Sequence, residues 1–301
     1  MDPPNVLWFA GAIATGVGVS ALLSTIPESK NGLWVFLAAL GFVLAFEFCS
    51  VALLRANWWV PGGLAATLAV ATFPGVAIGF LQLIDLWPDD QSLTGFDEFS
   101  GYAFGVALAT ALFGLGAYAL TEFTFILAVV VGALLLAVQF LVAAVSDAPT
   151  GEDRATAALI AGAVAVIAGI FLDAFGRRRE AFWFHVLGWL GIALALVVFA
   201  TDASGDTDRG WVPMLVAGVL LLLCAGPIGR ATWAVYGVLG YYAGLIHYLT
   251  EWLDDNAWPF ALLLLAVGVS IFIQGMLLHR YSKSWGSRFV RSPPPDLPPP
   301  P

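Results

Sequence analysis

Charged residues are scarce. Asp, Glu, Lys and Arg make up only 11% of the 301 residues, while 60% are hydrophobic. A soluble domain carries about 25% charged residues, so this chain has too few polar groups to cover the outside of a water-soluble core. Cysteine is nearly absent: Cys49 and Cys224 are the only two, both inside apolar runs. That excludes a disulfide framework and reads as two small buried thiols in helices. Basic residues are absent before the first apolar run, which follows Met1-Asp2-Pro3-Pro4-Asn5. A cleaved secretory signal needs a basic start, so this run is expected to be a retained span. There is no Gly-x-Ser-x-Gly, His-Glu-x-x-His, Walker loop or Cys-x-x-Cys. No catalytic, cofactor-binding or metal-binding residue is therefore assigned. Enzyme chemistry is disfavoured, and nothing points to nucleic acid as a partner.

Long apolar runs are what the sequence does have. A hydrocarbon core about 30 Å thick needs about 20 apolar residues of helix. Ten segments meet or approach this: 6–26, 33–54, 59–84, 101–121, 123–145, 156–175, 181–200, 211–228, 231–250 and 257–278. They lack the polar/apolar alternation of barrel strands, and a helix satisfies its own backbone hydrogen bonds in lipid. The fold expected is an all-α integral membrane protein of about ten transmembrane helices, with a polytopic membrane domain over 1–280 and a disordered, proline-rich tail over 281–301. Gly101–Val145 as a single helix would run about 68 Å, so a tight turn is expected at Thr121–Thr124. The Gly-rich first span also fits a re-entrant position. Pro61 and Pro74 are places where the long third span would kink or break.

Charge gives the spans a direction. With ten spans and the amino terminus inside, the cytoplasmic segments hold Arg55, Arg177, Arg178, Arg179, Arg230, Arg280, Lys283, Arg288 and Arg291, and the outer loops hold Lys30, Arg154 and Arg209. Nine against three is the bias of the positive-inside rule. It places the protein in the plasma (inner) membrane as a multi-pass protein with both termini cytoplasmic. Fifteen of the 21 acids fall on the outer side. They suit either an anionic vestibule that concentrates cations or simply solvated loops. Ten of the twelve tryptophans lie near span ends, at the headgroup level an amphipathic indole prefers.

A repeat appears at an offset of 175 residues. Arg55-Ala56-Asn57-Trp58 aligns with Arg230-Ala231-Thr232-Trp233, Cys49 with Cys224, and Trp8-Phe9 with Trp183-Phe184. Spans 1–3 thus resemble spans 7–9 in the same orientation, a partial parallel repeat. Arg55, Trp58, Arg230 and Trp233 are the expected interface or headgroup anchors: Arg holds a turn at the surface and can pair with phosphate, and Trp fixes helix depth.

Glu47 is the most suggestive single residue. It lies about 12 Å inside the helix end marked by Arg55, and an ionisable group at that depth is a functional-site hypothesis by default. It would carry a proton, ligate a cation, or pack protonated between helices. Gln82, Gln139 and Gln274 complete the expected intramembrane polar site; each equally suits an interhelical hydrogen bond. His185, His247 and His279 are expected at span ends, and Asp173 beside the basic cluster Arg177–Arg179. Gly75-x-x-x-Gly79, Gly101-x-x-x-Gly105 and Gly240-x-x-x-Gly244 are close-packing signatures.

The stretch Trp233–Tyr242, followed by His247 and Trp258-Pro259-Phe260-Ala261-Leu262 and preceded by Phe182-Trp183-Phe184 and Arg177–Arg179, resembles the carboxy-terminal part of a group of bacterial multispanning membrane proteins of unknown function. That resemblance spans about the last 125 residues and implies no activity. In size and span number the chain is also similar to drug/metabolite transporters, although their two five-span inverted halves differ from the six-span parallel offset found here. The functional expectation is a transporter-like protein for a small solute or ion, with the lipid bilayer as its other partner and no cofactor. The alternative is a non-transporting membrane scaffold or sensor. Oligomeric state does not follow from the sequence.

Overall fold

A computed structural model describes residues 3–26, 31–87, 100–146, 149–201 and 208–253, together with positions 261, 262, 265, 268, 269, 272, 273 and 276. Among these residues there are nine α-helices and no strand: α1 (Pro3–Ser24), α2 (Asn31–Arg55), α3 (Trp59–Leu83), α4 (Ser100–Thr121), α5 (Ile126–Val145), α6 (Gly151–Ala174), α7 (Arg178–Thr201), α8 (Asp208–Ile228) and α9 (Ala231–Leu253). Eight of them, α1 to α8, are long and apolar enough to cross a membrane. In α9, Trp233, Tyr236, Tyr241, Tyr242, His247 and Tyr248 dilute the aliphatic content. The eight described positions between 261 and 276 are helical. The rest of the expected tenth span, Gln274 and the tail 281–301 lie outside the described residues.

The surface fixes the solvent. Leu7, Phe48, Leu120, Val145, Phe171 and Phe175 are each more than 60% exposed, as are many other large apolar side chains. A soluble monomer tolerates apolar patches of only a few hundred Å². This surface is stable only against hydrocarbon, so the chain is membrane-embedded. Cys49 and Cys224 are exposed as well, which corrects the expectation of buried thiols. A small weakly polar thiol sits against lipid as readily as in a core.

The described helices end on local backbone chemistry. α2 closes with Asn57 at φ 63°; the Trp58 N–H donates to the Leu53 carbonyl and the Asn57 N–H to that of Leu54. This is the Schellman arrangement, in which one left-handed residue lets the last carbonyls find partners. α6 ends the same way at Gly176 (φ 79°) and α8 at Gly229 (φ 68°). Glu122 takes the left-handed role after α4, its N–H bonded to the Tyr118 carbonyl. Gly101–Val145 is therefore two helices, α4 and α5. α6 starts at Gly151, ahead of its apolar run, because Thr150 and Asp153 form a reciprocal capping box. α1 is one uninterrupted helix. α3 also runs unbroken: Pro61 sits in the first turn, where no intrahelical N–H bond is lost, and only Pro74 is internal.

The chain divides into two compact units, Met1–Ala195 and Leu196–Pro301, with the boundary inside α7. In the first, α3 packs against α1, α2, α4 and α5. Its core joins Leu64, Ala66 and Val70 of α3 to Ala111 and Ala117 of α4, Phe123 of the following turn, and Ile126, Val130 and Ala133 of α5. In the second, α8 and α9 form a close pair. Gly218 faces the backbone of Tyr241, and a Cβ at Gly237 would lie 2.9 Å from the Leu222 nitrogen. Small residues let helix backbones approach where no hydrophobic force separates helix from lipid.

Two of the three expected glycine motifs serve this purpose. Gly79 meets the Phe36 backbone and Gly75 the Ala39 side chain, while Gly240 and Gly244 meet Met214 and Leu215. Gly101 and Gly105 have nothing within 4 Å of a built Cβ, so that pair closes no described contact.

Candidate functional site

Aromatic and polar side chains of the first unit converge at one end, where the start of α1 meets the turns α2/α3, α4/α5 and α6/α7. Trp8 of α1 lies edge-on to Trp58, with centroids 6.2 Å apart. Phe125 contacts Phe9 of α1 at 5.4 Å and Trp183 of α7 at 4.9 Å, both edge-on. Gly63 at the start of α3 packs directly on the Phe123 ring. Edge-to-face pairs of this kind contribute about 0.5–1.5 kcal/mol each beyond area burial.

Two polar clusters are set into this end. In the first, Glu180 Oε1 accepts from the Tyr118 hydroxyl at 2.9 Å and from Arg177 Nε at 3.2 Å. One carboxylate oxygen thereby ties the end of α4 to the α6/α7 turn. Arg177, Arg178 and Arg179 are themselves exposed. In the second, His185 Nε2 of α7 lies 3.0 Å from Asp173 Oδ2 of α6. The His185 side chain is fully buried, and Asp173 keeps 18% of its side chain exposed. Gly169 makes the room: a Cβ there would lie 3.0–3.2 Å from three atoms of the imidazole. Further along the pair, about two turns from Gly169 on α6 and one turn from His185 on α7, Gly162 and Gly188 cross, each within 2.6–2.8 Å of the other's carbonyl oxygen if given a Cβ. This corrects two expectations. His185 is buried between the helices near the start of α7 and not presented at the surface, and Asp173 pairs with it across the helix pair as well as lying near the basic turn.

The residues singled out from sequence are dispersed. Glu47 is half-buried on the face of α2 that carries the buried Ala39, Val43 and Ser50. The contacts Phe36–Gly79, Ala39–Gly75 and Leu54–Gly62 define an antiparallel register that sets Glu47 level with Leu68 of α3. Leu68 in turn lies 3.3 Å from a Cβ built on Gly16 of α1. Among the described residues, no hydrogen-bond or ion-pair partner faces the Glu47 carboxyl. Gln82 packs on Gly32, and from Gly32 to Glu47 α2 rises about 22 Å, so these two are not neighbours. Gln139 Nε2 donates to the Arg154 carbonyl at 3.3 Å, joining α5 to α6. The described residues therefore do not gather Glu47, Gln82 and Gln139 into one polar site.

The anchor residues differ in place. Arg55 is exposed in the last turn of α2, and Trp58 is 54% exposed at the turn. Arg230 is half-buried, and Trp233 is only 7% exposed. Arg55 stands two residues before its left-handed turn residue, Asn57, while Arg230 stands one after Gly229. The aligned arginines thus occupy different backbone positions, and Trp233 packs into its helix pair. In the second unit, Trp211 stacks on His247, centroids 4.4 Å apart and planes 13° from parallel. No cluster of three metal-ligating side chains occurs among the described residues.

Comparison with protein-family models, curated proteins and solved structures gives no match to this chain.

Proposed function

We propose that the protein sits in the plasma (inner) membrane with the turn end of its first unit toward the cytoplasm, and that it moves a small solute or ion across the bilayer. One observation carries this reading: Glu47 is an ionisable group within a span, on the packed face of α2, with no described partner for its carboxyl. A carboxyl in that setting is costly to keep for structure alone. Its role would be to carry a proton or ligate a cation at the level of Leu68. Purified protein in liposomes tests this, wild type against Glu47→Gln, over a panel of ions and small solutes. Flux above background that falls at least tenfold in Glu47→Gln, roughly 1.4 kcal/mol in barrier height, supports the reading. Equal background flux across the panel sinks it.

A second reading, a non-transporting scaffold or sensor, is favoured by the three exposed arginines where the α6/α7 turn enters α7 and by the proline-rich end of the sequence. Deleting Ser292–Pro301 and recovering the same co-purifying partners would remove the tail from that reading.

A further inference from the structure

We propose that Asp173 and His185 form a reversible proton-binding site within the α6–α7 pair, loaded from the side of the Gly176–Arg179 turn.

The argument is geometric. The Nε2–Oδ2 contact of 3.0 Å requires a proton between the two atoms, since a bare nitrogen lone pair and a carboxylate oxygen repel. With one imidazole proton and an ionised carboxylate, the pair has net charge −1. Uptake of one further proton from hydronium, which leaves as water, gives imidazolium beside carboxylate and net charge zero. A change of charge within an apolar helix pair alters its solvation cost, so the two protonation states differ in how well the helix pair holds them. His185 has no exposed surface, whereas Asp173 is partly exposed and lies three residues before Gly176. Protons therefore enter at Asp173 and are held against His185.

The site is also built for a ring and not merely filled by one. Gly169, one helical turn before Asp173, leaves the space the imidazole occupies. Other charged and titratable groups lie on the same elements. Glu180 of α7 is engaged by Tyr118 of α4 and Arg177 of the turn. Arg178 and Arg179 of α7 and Glu122 of the α4/α5 turn are exposed. A basic surround at the mouth of the site makes it responsive to ionic strength. The proposal does not depend on Glu47 or on transport.

Nitrogen-15 spectroscopy of histidine-labelled, full-length protein in lipid bilayers tests it directly, with His185→Gln assigning the signal. The expected result is a His185 imidazole that converts between its neutral and doubly protonated forms between pH 4 and 9, with a midpoint that moves by about one pH unit or more in Asp173→Asn. An imidazole that stays in one form over that range in the wild type overturns the proposal. So does a midpoint that is the same in Asp173→Asn. Should Asp173→Asn not fold, Asp173→Glu replaces it: the same carboxylate on a longer arm must still shift the midpoint, and an unmoved midpoint overturns the dyad.

Discussion

Gly63 rests its backbone against the face of Phe123, so closely that a Cβ at Gly63 would overlap the ring. Phe123 belongs to the α4/α5 turn and is 9% exposed, enclosed by the core of the first unit. Gly63→Ala therefore forces the turn outward. The expected cost is about 1–3 kcal/mol, the range for overpacking a close-fitted interior. Thermal unfolding in detergent should show it, and Phe123→Leu in the same chain should return part of the loss. Stability unchanged in Gly63→Ala would mean the turn does not sit on α3 as described.

Gly188 and Gly105 make a matched pair for testing close approach between helices. A side chain at Gly188 collides with the Gly162 carbonyl and the Val166 backbone, while Gly105 has open space around it. Gly188→Leu should lower the midpoint of thermal unfolding, by an amount equivalent to about 1–3 kcal/mol. Gly105→Leu should leave it within about 0.5 kcal/mol, as surface changes usually do. Equal effects would contradict the α6–α7 crossing.

Tyr118 and Glu180 offer a smaller effect with a sharper signature. Tyr118→Phe removes one donor to a carboxylate that Arg177 continues to engage. A loss of about 1 kcal/mol is expected. In Glu180→Gln the further change Tyr118→Phe should cost less than it does in the wild type. A double-mutant cycle with no coupling would show that the hydrogen bond contributes nothing.

The turn end yields a topological test. Asn57 and Glu122 lie in turns, and Arg178 opens α7 directly after one, at the end that gathers around Trp8, Phe125 and Trp183. Single cysteines at these three positions, in a chain carrying Cys49→Ala and Cys224→Ala, should all react with a membrane-impermeant thiol reagent from one side. A site that labels from the opposite side would break the arrangement of the first unit.

Much of the helical layout was legible in advance, because a run of about twenty apolar residues leaves little choice of structure in lipid. α4 and α5 were separable from length alone. The start of α6 was not, because Thr150 and Asp153 act through a local capping exchange that hydropathy does not register. The fate of Glu47 was half visible: its depth follows from its distance to Arg55, but its face follows only from which α2 residues are buried. Asp173 and His185 were hidden for a different reason. They are twelve residues apart, and their meeting depends on the Gly176 turn and on the cradle at Gly169. Gly169 and Asp173 share a helix face at i, i+4 spacing, and His185 lies on the other side of the turn. A small residue placed opposite a histidine across a short hairpin was the available signal. Expected grouping of Glu47 with Gln82 failed because the two sit at different heights on one helix pair, which residue type alone does not reveal.

In the first unit α3 packs against four neighbours, α1, α2, α4 and α5. Such a helix is largely released from the demands of the surrounding hydrocarbon. That explains how α3 accommodates Pro74 and the buried hydroxyls of Thr67 and Thr72, each turned back on a carbonyl four residues earlier. It also sets an order of events during synthesis. α3 leaves the ribosome before α4 and α5, so the segment that ends up most sheltered spends its first moments bare, and the chain is most vulnerable to misassembly in the interval between making its spine and making the ribs that enclose it.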